Sequence, residues 1–339
     1  MRAQALTVER AKGEQVRRAL VAGGWLRGDL RPKRSAIEVV YPIVGLPADL
    51  PPGVEGILSE EDFEPSGEKG PRDYHSLVDL PEPLRQELPS SFDVVGDIVL
   101  IRLPDVLLPH RRSIGAALLS FVPGCRKVGL DRGVEGVARL RSLEEIAGEG
   151  SWATVHRENG ISLAVDLEHA YFSPRLASEH ARVASLVTPG ERLLDLFCGV
   201  GPFCLTALRA QKSATALAVD LNPSAVALLR ENARRLRVQY RLEVLEADAE
   251  DFLRRDERFS RVVMNLPREG YMYVAKVARH VMPAGTLHHY EVVPRARAAE
   301  RLRELSTLVG PEWSVDTPRV VHAYNPTSDL LAWTLHRGA

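Results

Sequence analysis

The segment Leu193-Leu-Asp-Leu-Phe-Cys-Gly-Val-Gly-Pro-Phe203 constrains this chain more than any other. A short apolar run that ends in two glycines and continues as a helix start reads as strand, tight turn and helix. Gly199 and Gly201 let the backbone pass close to a ligand without a Cβ in the way, and the helix that follows presents unpaired N–H groups toward it. Taken alone, a G-x-G after a strand is shared by many nucleotide-binding domains. The residues after it repeat the pattern. Strands are expected over 192–197, 215–220, 241–246, 261–264 and 286–293, and helices over 202–210, 223–236, 271–280 and 295–305. A pair of strands over 320–324 and 330–336 closes the chain, joined by Asn325-Pro326-Thr-Ser-Asp329. Alternating strand and helix predicts a mostly parallel sheet covered on both faces.

Two smaller modules are expected before it. Gly13 to Ala22 has helical periodicity and stops at Gly23-Gly24, and Ile37-Glu-Val-Val-Tyr-Pro42 reads as a strand. Residues 1–40 hold nine Lys/Arg against four Asp/Glu, whereas 51–90 hold three against ten. This asymmetry predicts a basic module over 1–50 and an acidic linker over 51–71. Residues 72–165 read as a second α+β module. It has a strand after Phe92, an apolar helix over 114–121, and a hairpin turning at Asn159-Gly160. At 339 residues the chain is long enough for two or three domains, and its overall charge is −1. Nucleic-acid binding therefore needs local basic patches. Cys125, Cys198 and Cys204 have neither disulfide nor zinc spacing, so no metal is expected. The charged N-terminus lacks a secretory core, no apolar run is long enough to span a membrane, and a reducing, cytoplasmic setting follows as an expectation.

Acidic residues sharpen the ligand. Asp220 ends the second strand of the repeat, about twenty residues after the glycines, where a carboxylate accepts both hydroxyls of a ribose. That suits a dinucleotide or S-adenosylmethionine. The turn lacks the third glycine of the dinucleotide fingerprint, and the third strand ends in Glu246-Ala-Asp248, where a carboxylate can accept from an adenine amino group. Both features favour the methyl donor. Asp220 and Asp248 are also placed to enter or cap helices. After the fourth strand, Asn265-Leu266-Pro267 resembles the signature of methyltransferases that act on amino or ring nitrogens. Asn265 offers one acceptor and two donors for a planar base edge. Upstream, Arg175 and Glu179 in Phe172-Ser-Pro-Arg-Leu176 and the following helix stand four apart on one face. That spacing fits an intrahelical ion pair as well as a site.

The combination of Ser91-Phe-Asp-Val-Val-Gly-Asp97, Arg157-Glu-Asn-Gly160, Phe172-Ser-Pro-Arg-Leu176, Phe197-Cys-Gly-Val-Gly-Pro-Phe203, Asp220-Leu-Asn-Pro223, Met264-Asn-Leu-Pro267 and His288-His-Tyr290, in that order, resembles the archaeal–eukaryotic type of tRNA guanine-37 N1-methyltransferase. The resemblance spans nearly the whole chain. It implies a Rossmann-like class I methyltransferase domain with a seven-stranded sheet over 166–339, S-adenosylmethionine as cofactor, tRNA as partner through its body and anticodon loop, and a monomer. It makes Glu179 the general base and Arg139 the essential arginine, with Arg141 the alternative. Asn265 serves catalysis and the cofactor, and the cofactor contacts are Arg175, Phe197, Gly199, Gly201, Asp220 and Asp248. His180 departs from the arginine usual after the base.

These residue types suit the implied chemistry. Guanine N1 carries a proton and becomes nucleophilic as that proton leaves, with charge spreading to O6. A buried carboxylate takes the proton and a guanidinium stabilises O6. The competing readings are a wyosine-pathway enzyme that also methylates the tricyclic base, an aminocarboxypropyl transferase, a non-catalytic tRNA-binding protein and a small-molecule methyltransferase.

Overall fold

The computed structural model describes residues 1–45, 54–66, 73–136 and 139–339. Two compact units emerge, residues 1–76 and 77–339. The first contains β1 (Arg2–Glu9), α1 (Gly13–Ala22), β2 (Lys33–Arg34), β3 (Glu38–Ile43) and β4 (Ile57–Asp62), with an antiparallel sheet in the order β2-β3-β1-β4. Val16 and Leu20 of α1 pack on Leu6, Val8, Val39 and Ile43. The expected linker over 51–71 is corrected by β4, which lies inside it and pairs with β1 with Leu58 opposite Leu6. Five of its six residues are exposed, so the strand shows no apolar alternation. Its acids instead face the basic strands, Glu60 on Arg2 and Glu61 on Lys33. The remaining parts of that stretch, 51–53 and 67–71, lie outside the described residues.

In the second unit α2 (Glu82–Arg85), β5 (Asp93–Val95), β6 (Ile98–Ile101), α3 (Arg111–Phe121), β7 (Lys127–Glu135) and β8 (Leu140–Gly148) form a four-stranded sheet, β5-β6-β7-β8, with α3 packed on it. A hairpin of β9 (Ala153–Glu158) and β10 (Ile161–Asp166) follows. Its turn residues Asn159 and Gly160 are both left-handed, with φ 46° and 74°, as a two-residue hairpin requires. The boundary expected at 165–166 does not separate two cores. Val95, Ile98 and Leu100 share one apolar cluster with Leu163 and Val165 of the hairpin and with Leu205 and Leu229 beyond it.

The repeat then unfolds as α4 (Ala177–Ser185), β11 (Arg192–Leu196), α5 (Pro202–Ala210), β12 (Thr215–Asp220), α6 (Pro223–Arg235), β13 (Leu242–Glu246), α7 (Ala249–Phe252), β14 (Phe259–Asn265), α8 (Val274–Ala278), β15 (Val281–Pro294), α9 (Ala298–Val309), β16 (Trp313–Val315), β17 (Arg319–Asn325) and β18 (Ser328–Arg337). The sheet runs β13-β12-β11-β14-β15-β18-β16, a seven-strand path to which β17 adds an eighth strand by pairing with β18. The first five strands are parallel, and β18 is antiparallel to its three neighbours. Chain direction across the sheet reverses between β11 and β14. The crevice outside the carboxyl ends of those strands is where open α/β sheets bind ligands. Among the described residues no helix is long and apolar enough to cross a membrane.

Candidate active site

A cleft of about 490 Å³ opens at that switch point, entirely within the second unit. One wall is the end of β11 and its turn. Phe197 there has φ 73°. A left-handed phenylalanine is strained, and such strain persists where the surroundings enforce it. Here the Phe197 and Cys198 N–H groups both bond the Val219 carbonyl at 3.0 Å, and the ring stands edge-on to Tyr273. Gly199 (φ 55°) leaves open space in which an added Cβ would come no nearer than 3.7 Å to the Tyr171 carbonyl. Gly201 does not line the cleft. A Cβ there would fall 2.2 Å from Leu229 Cδ1, so this glycine permits α6 to pack against the turn.

Asp220 lines the same wall and also shapes it. Its Oδ2 accepts from Gly199 N at 2.7 Å and its Oδ1 from Asn222 N at 2.9 Å. Burial raises its proton affinity, and the bonds from Asn222 and Gly199 partly reverse the rise. Asn222 caps α6, accepting from Ser224 N and Ala225 N. Asp248 likewise caps α7 through Glu250 N and also lines the cleft. Asn265 ends β14 in the cleft, and its Oδ1 is buried with no hydrogen-bond partner. A buried acceptor left unpaired costs about 1–3 kcal/mol, which marks it for a ligand. The open glycine turn, the two carboxylates and this free amide oxygen fit S-adenosylmethionine.

The other wall is cationic. Arg141 is nearly buried and engaged at both terminal nitrogens, with Asp131 on one and the Phe172 carbonyl at 2.9 Å on the other. Its guanidinium also lies 5.1 Å from the Tyr171 ring. Arg175 bonds Asp93 at 2.6 Å and makes no pair with Glu179. Arg139 stands apart. It lies at the tip of the β7–β8 hairpin with φ 52°, lines the cleft 5.8 Å from the Tyr171 ring, and makes no ion pair among the described residues.

Glu179 is placed differently from the other candidates. It is completely buried on α4 and is not part of the cleft lining. Its Oε2 accepts from Arg182 Nε at 2.9 Å and from the Tyr290 hydroxyl at 3.0 Å, and its Oε1 meets the Arg319 guanidinium. Leu176 and His180, on either side of it in sequence, do line the cleft. His180 Nδ1 lies 2.6 Å from Glu158 Oε1, and His156 approaches the other oxygen of Glu158 at 3.5 Å.

The cleft thus gathers Arg139, Arg175, Phe197, Gly199, Asp220, Asp248 and Asn265, with Glu179 behind its wall and Gly201 in the packing beneath it. Sequence reasoning missed Tyr171 as a contact, the Glu158–His180 pair, and Arg319. Arg319 sits on a strand 140 residues from its partner, a pairing with no local signal.

Residues 154–312 match the TRM5/TYW2 methyltransferase domain, and 76–151 match the TYW2 N-terminal domain. Pyrococcus abyssi tRNA (guanine(37)-N(1))-methyltransferase Trm5b is 34% identical over 337 residues, covering 97% of this chain and 97% of that protein. The Methanocaldococcus jannaschii protein of the same name is 29% identical and covers 96% of each. Among solved structures, wild-type Trm5b from P. abyssi superposes with a TM-score of 0.73 at 31% identity, covering 99% of this chain and all of that one. A complex of aTrm5 with tRNALeu gives 0.70 at 28%, covering 98% and 99%.

Proposed function

The chain belongs to the TRM5/TYW2 methyltransferase family, and from that premise we propose that it methylates N1 of guanosine 37 in the tRNA anticodon loop with S-adenosylmethionine. One observation carries the reading. A single cleft holds the glycine turn with Asp220 and Asp248, the unpartnered amide oxygen of Asn265, and the uncommitted guanidinium of Arg139. Bound S-adenosylmethionine supplies an electrophilic methyl. Asp220 accepts from its ribose and Asp248 from its adenine. Asn265 holds the guanine edge in line with the methyl, which lowers the barrier by orientation.

Arg139 donates to guanine O6 as charge gathers there. Arg141 is already spent on Asp131 and Phe172, so it supports the wall. Glu179 takes the N1 proton, its Oε2 held in place by Tyr290 and Arg182. The target base leaves the loop stack to reach the cleft, at a cost of a few kcal/mol. The basic stretch 1–40 of the first unit supplies contacts to the tRNA body.

The test uses unmodified tRNA transcripts carrying G37 or A37 and S-adenosylmethionine labelled either in the methyl or in the carboxyl carbon. Methyl label enters the G37 transcript only and carboxyl label enters neither. Glu179→Ala abolishes transfer while cofactor binding persists. Equal labelling of A37 tRNA, or full activity of Glu179→Ala, would sink the assignment, and carboxyl label in tRNA would point to aminocarboxypropyl transfer.

A further inference from the structure

The two oxygens of Glu179 have different partners. Oε2 is anchored by Tyr290, which is fully buried, and by Arg182, whose side chain is 25% exposed. Among the described residues Oε1 accepts no hydrogen bond and faces the guanidinium of Arg319, its ion-pair partner, whose side chain is 51% exposed. A completely buried carboxylate is therefore closed on its outer side by one surface arginine. Arg319 opens β17, a strand that pairs with β18 alone among the described residues. Farther along, His322 and Tyr324 line the cleft and Val320 is exposed. Arg268 donates to the Tyr324 hydroxyl at 3.0 Å, with its guanidinium 5.8 Å from the ring.

Exposed cations beside an aromatic ring at the mouth of a base-binding cleft suit single-stranded RNA, whose phosphates take the cations while bases stack on rings. A phosphate also matches the guanidinium fork, so it can compete for Arg319. Resting on the reading of Glu179 as the base, we propose that β17 is the track for the RNA strand flanking the target guanosine, and that Arg319 passes from Glu179 to a backbone phosphate as the RNA seats.

The exchange has a chemical purpose. In the idle enzyme Arg319 neutralises the carboxylate. Once it leaves, a buried carboxylate has lost one of its compensating charges, which raises its affinity for a proton. Oε1 is freed to accept the N1 proton while Oε2 stays anchored, and the electron pair of the broken N–H bond remains on the guanine. The base is thus unmasked only when RNA is in place.

The experiment crosses two enzymes with two substrates. A tRNA assembled around a synthetic anticodon arm carries either ordinary phosphates or neutral methylphosphonates on both sides of G37, and single-turnover methyl transfer is measured at saturating RNA. In the wild type the neutral linkages slow transfer about tenfold, the scale of one charge-assisted contact. In Arg319→Ala the same change has little effect, and Arg319→Lys restores the sensitivity. In parallel, the slope of log tRNA affinity against log salt falls by about one in Arg319→Ala. Equal slowing of wild type and Arg319→Ala by the neutral linkages, or an unchanged salt slope in a variant that melts normally, overturns the proposal. The salt slope reports the phosphate contact whether or not Glu179 is the base. An active Glu179→Gln with a reduced slope in Arg319→Ala would therefore fault the base assignment and leave the track standing.

Discussion

His180 and Glu158 share a hydrogen bond of 2.6 Å, both side chains lying out of solvent on the inner side of the cleft. Burial by itself would raise the Glu158 carboxyl, but the bonds and charges of His156 and His180 bring it down to about 2. A depressed carboxyl adds stability above its ordinary value of 4.5, and that stability drains as the pH falls toward 2. Glu158→Gln should cost about 2 kcal/mol at pH 6. The gap between wild type and variant in urea unfolding should narrow steadily below pH about 4.5. A gap that stays constant down to pH 3 would exclude the ion pair as its source.

Asp195 shows the opposite sign. Burial, with a smaller push from the Asp220 charge and partly offset by the bonds from Cys204, takes the carboxyl up to about 7. The folded chain keeps this proton well above the 3.8 at which the unfolded chain releases it. Its contribution is complete below about 3.8 and is lost as the pH climbs through 7. Asp195→Asn, which carries no titrating proton, should flatten the dependence of unfolding free energy on pH between 4 and 7. An equally steep profile in the variant would contradict the assignment.

The amide oxygen of Asn265 has no hydrogen-bond partner among the described residues. Asn265→Ala should accordingly leave the melting temperature unchanged while lowering kcat about 100-fold, the cost of losing a positioning contact. A large drop in melting temperature would mean that the side chain supports the β14 turn instead of the substrate.

Arg139 and Arg141 are two residues apart and should fail in different ways. Arg139→Ala is expected to reduce kcat about 100- to 1000-fold, as for loss of a single oxyanion donor, with unfolding within about 0.5 kcal/mol of wild type. Arg141→Ala leaves the buried Asp131 with only the exposed Arg102 as its counter-charge among the described residues and takes the donor from the Phe172 carbonyl, and should destabilise the protein by about 2 kcal/mol. Measuring both turnover and urea midpoints for each variant distinguishes them. The reverse pattern would exchange their roles.

The parallel part of the fold is legible because its signals are local. The helix Pro202–Ala210 and the strand Thr215–Asp220 fall where periodicity and caps put them, and Asn222 caps α6 as expected. Elements without that signal escape. β4 is exposed on both faces, α7 is a single turn, and β16 has three residues. The helix expected over 271–280 shrinks to Val274–Ala278 because a 3-10 turn over Gly270–Tyr273 precedes it. Site residues divide the same way. Those at strand ends, Asp220 and Asn265, can be read from spacing. Two of the partners of Glu179, Tyr290 and Arg319, come from β15 and β17, more than 100 residues away, and no helical period announces them.

Tyr171 joins the two halves of the cleft. Its ring lies near both Arg139 and Arg141, and its carbonyl borders the space above Gly199. On the proposed roles, a base held by Arg139 and a cofactor over Gly199 would border the same residue. Any coupling between the two ends would be reciprocal. By reciprocity, whatever factor the nucleic acid applies to cofactor affinity, the cofactor returns to the nucleic acid.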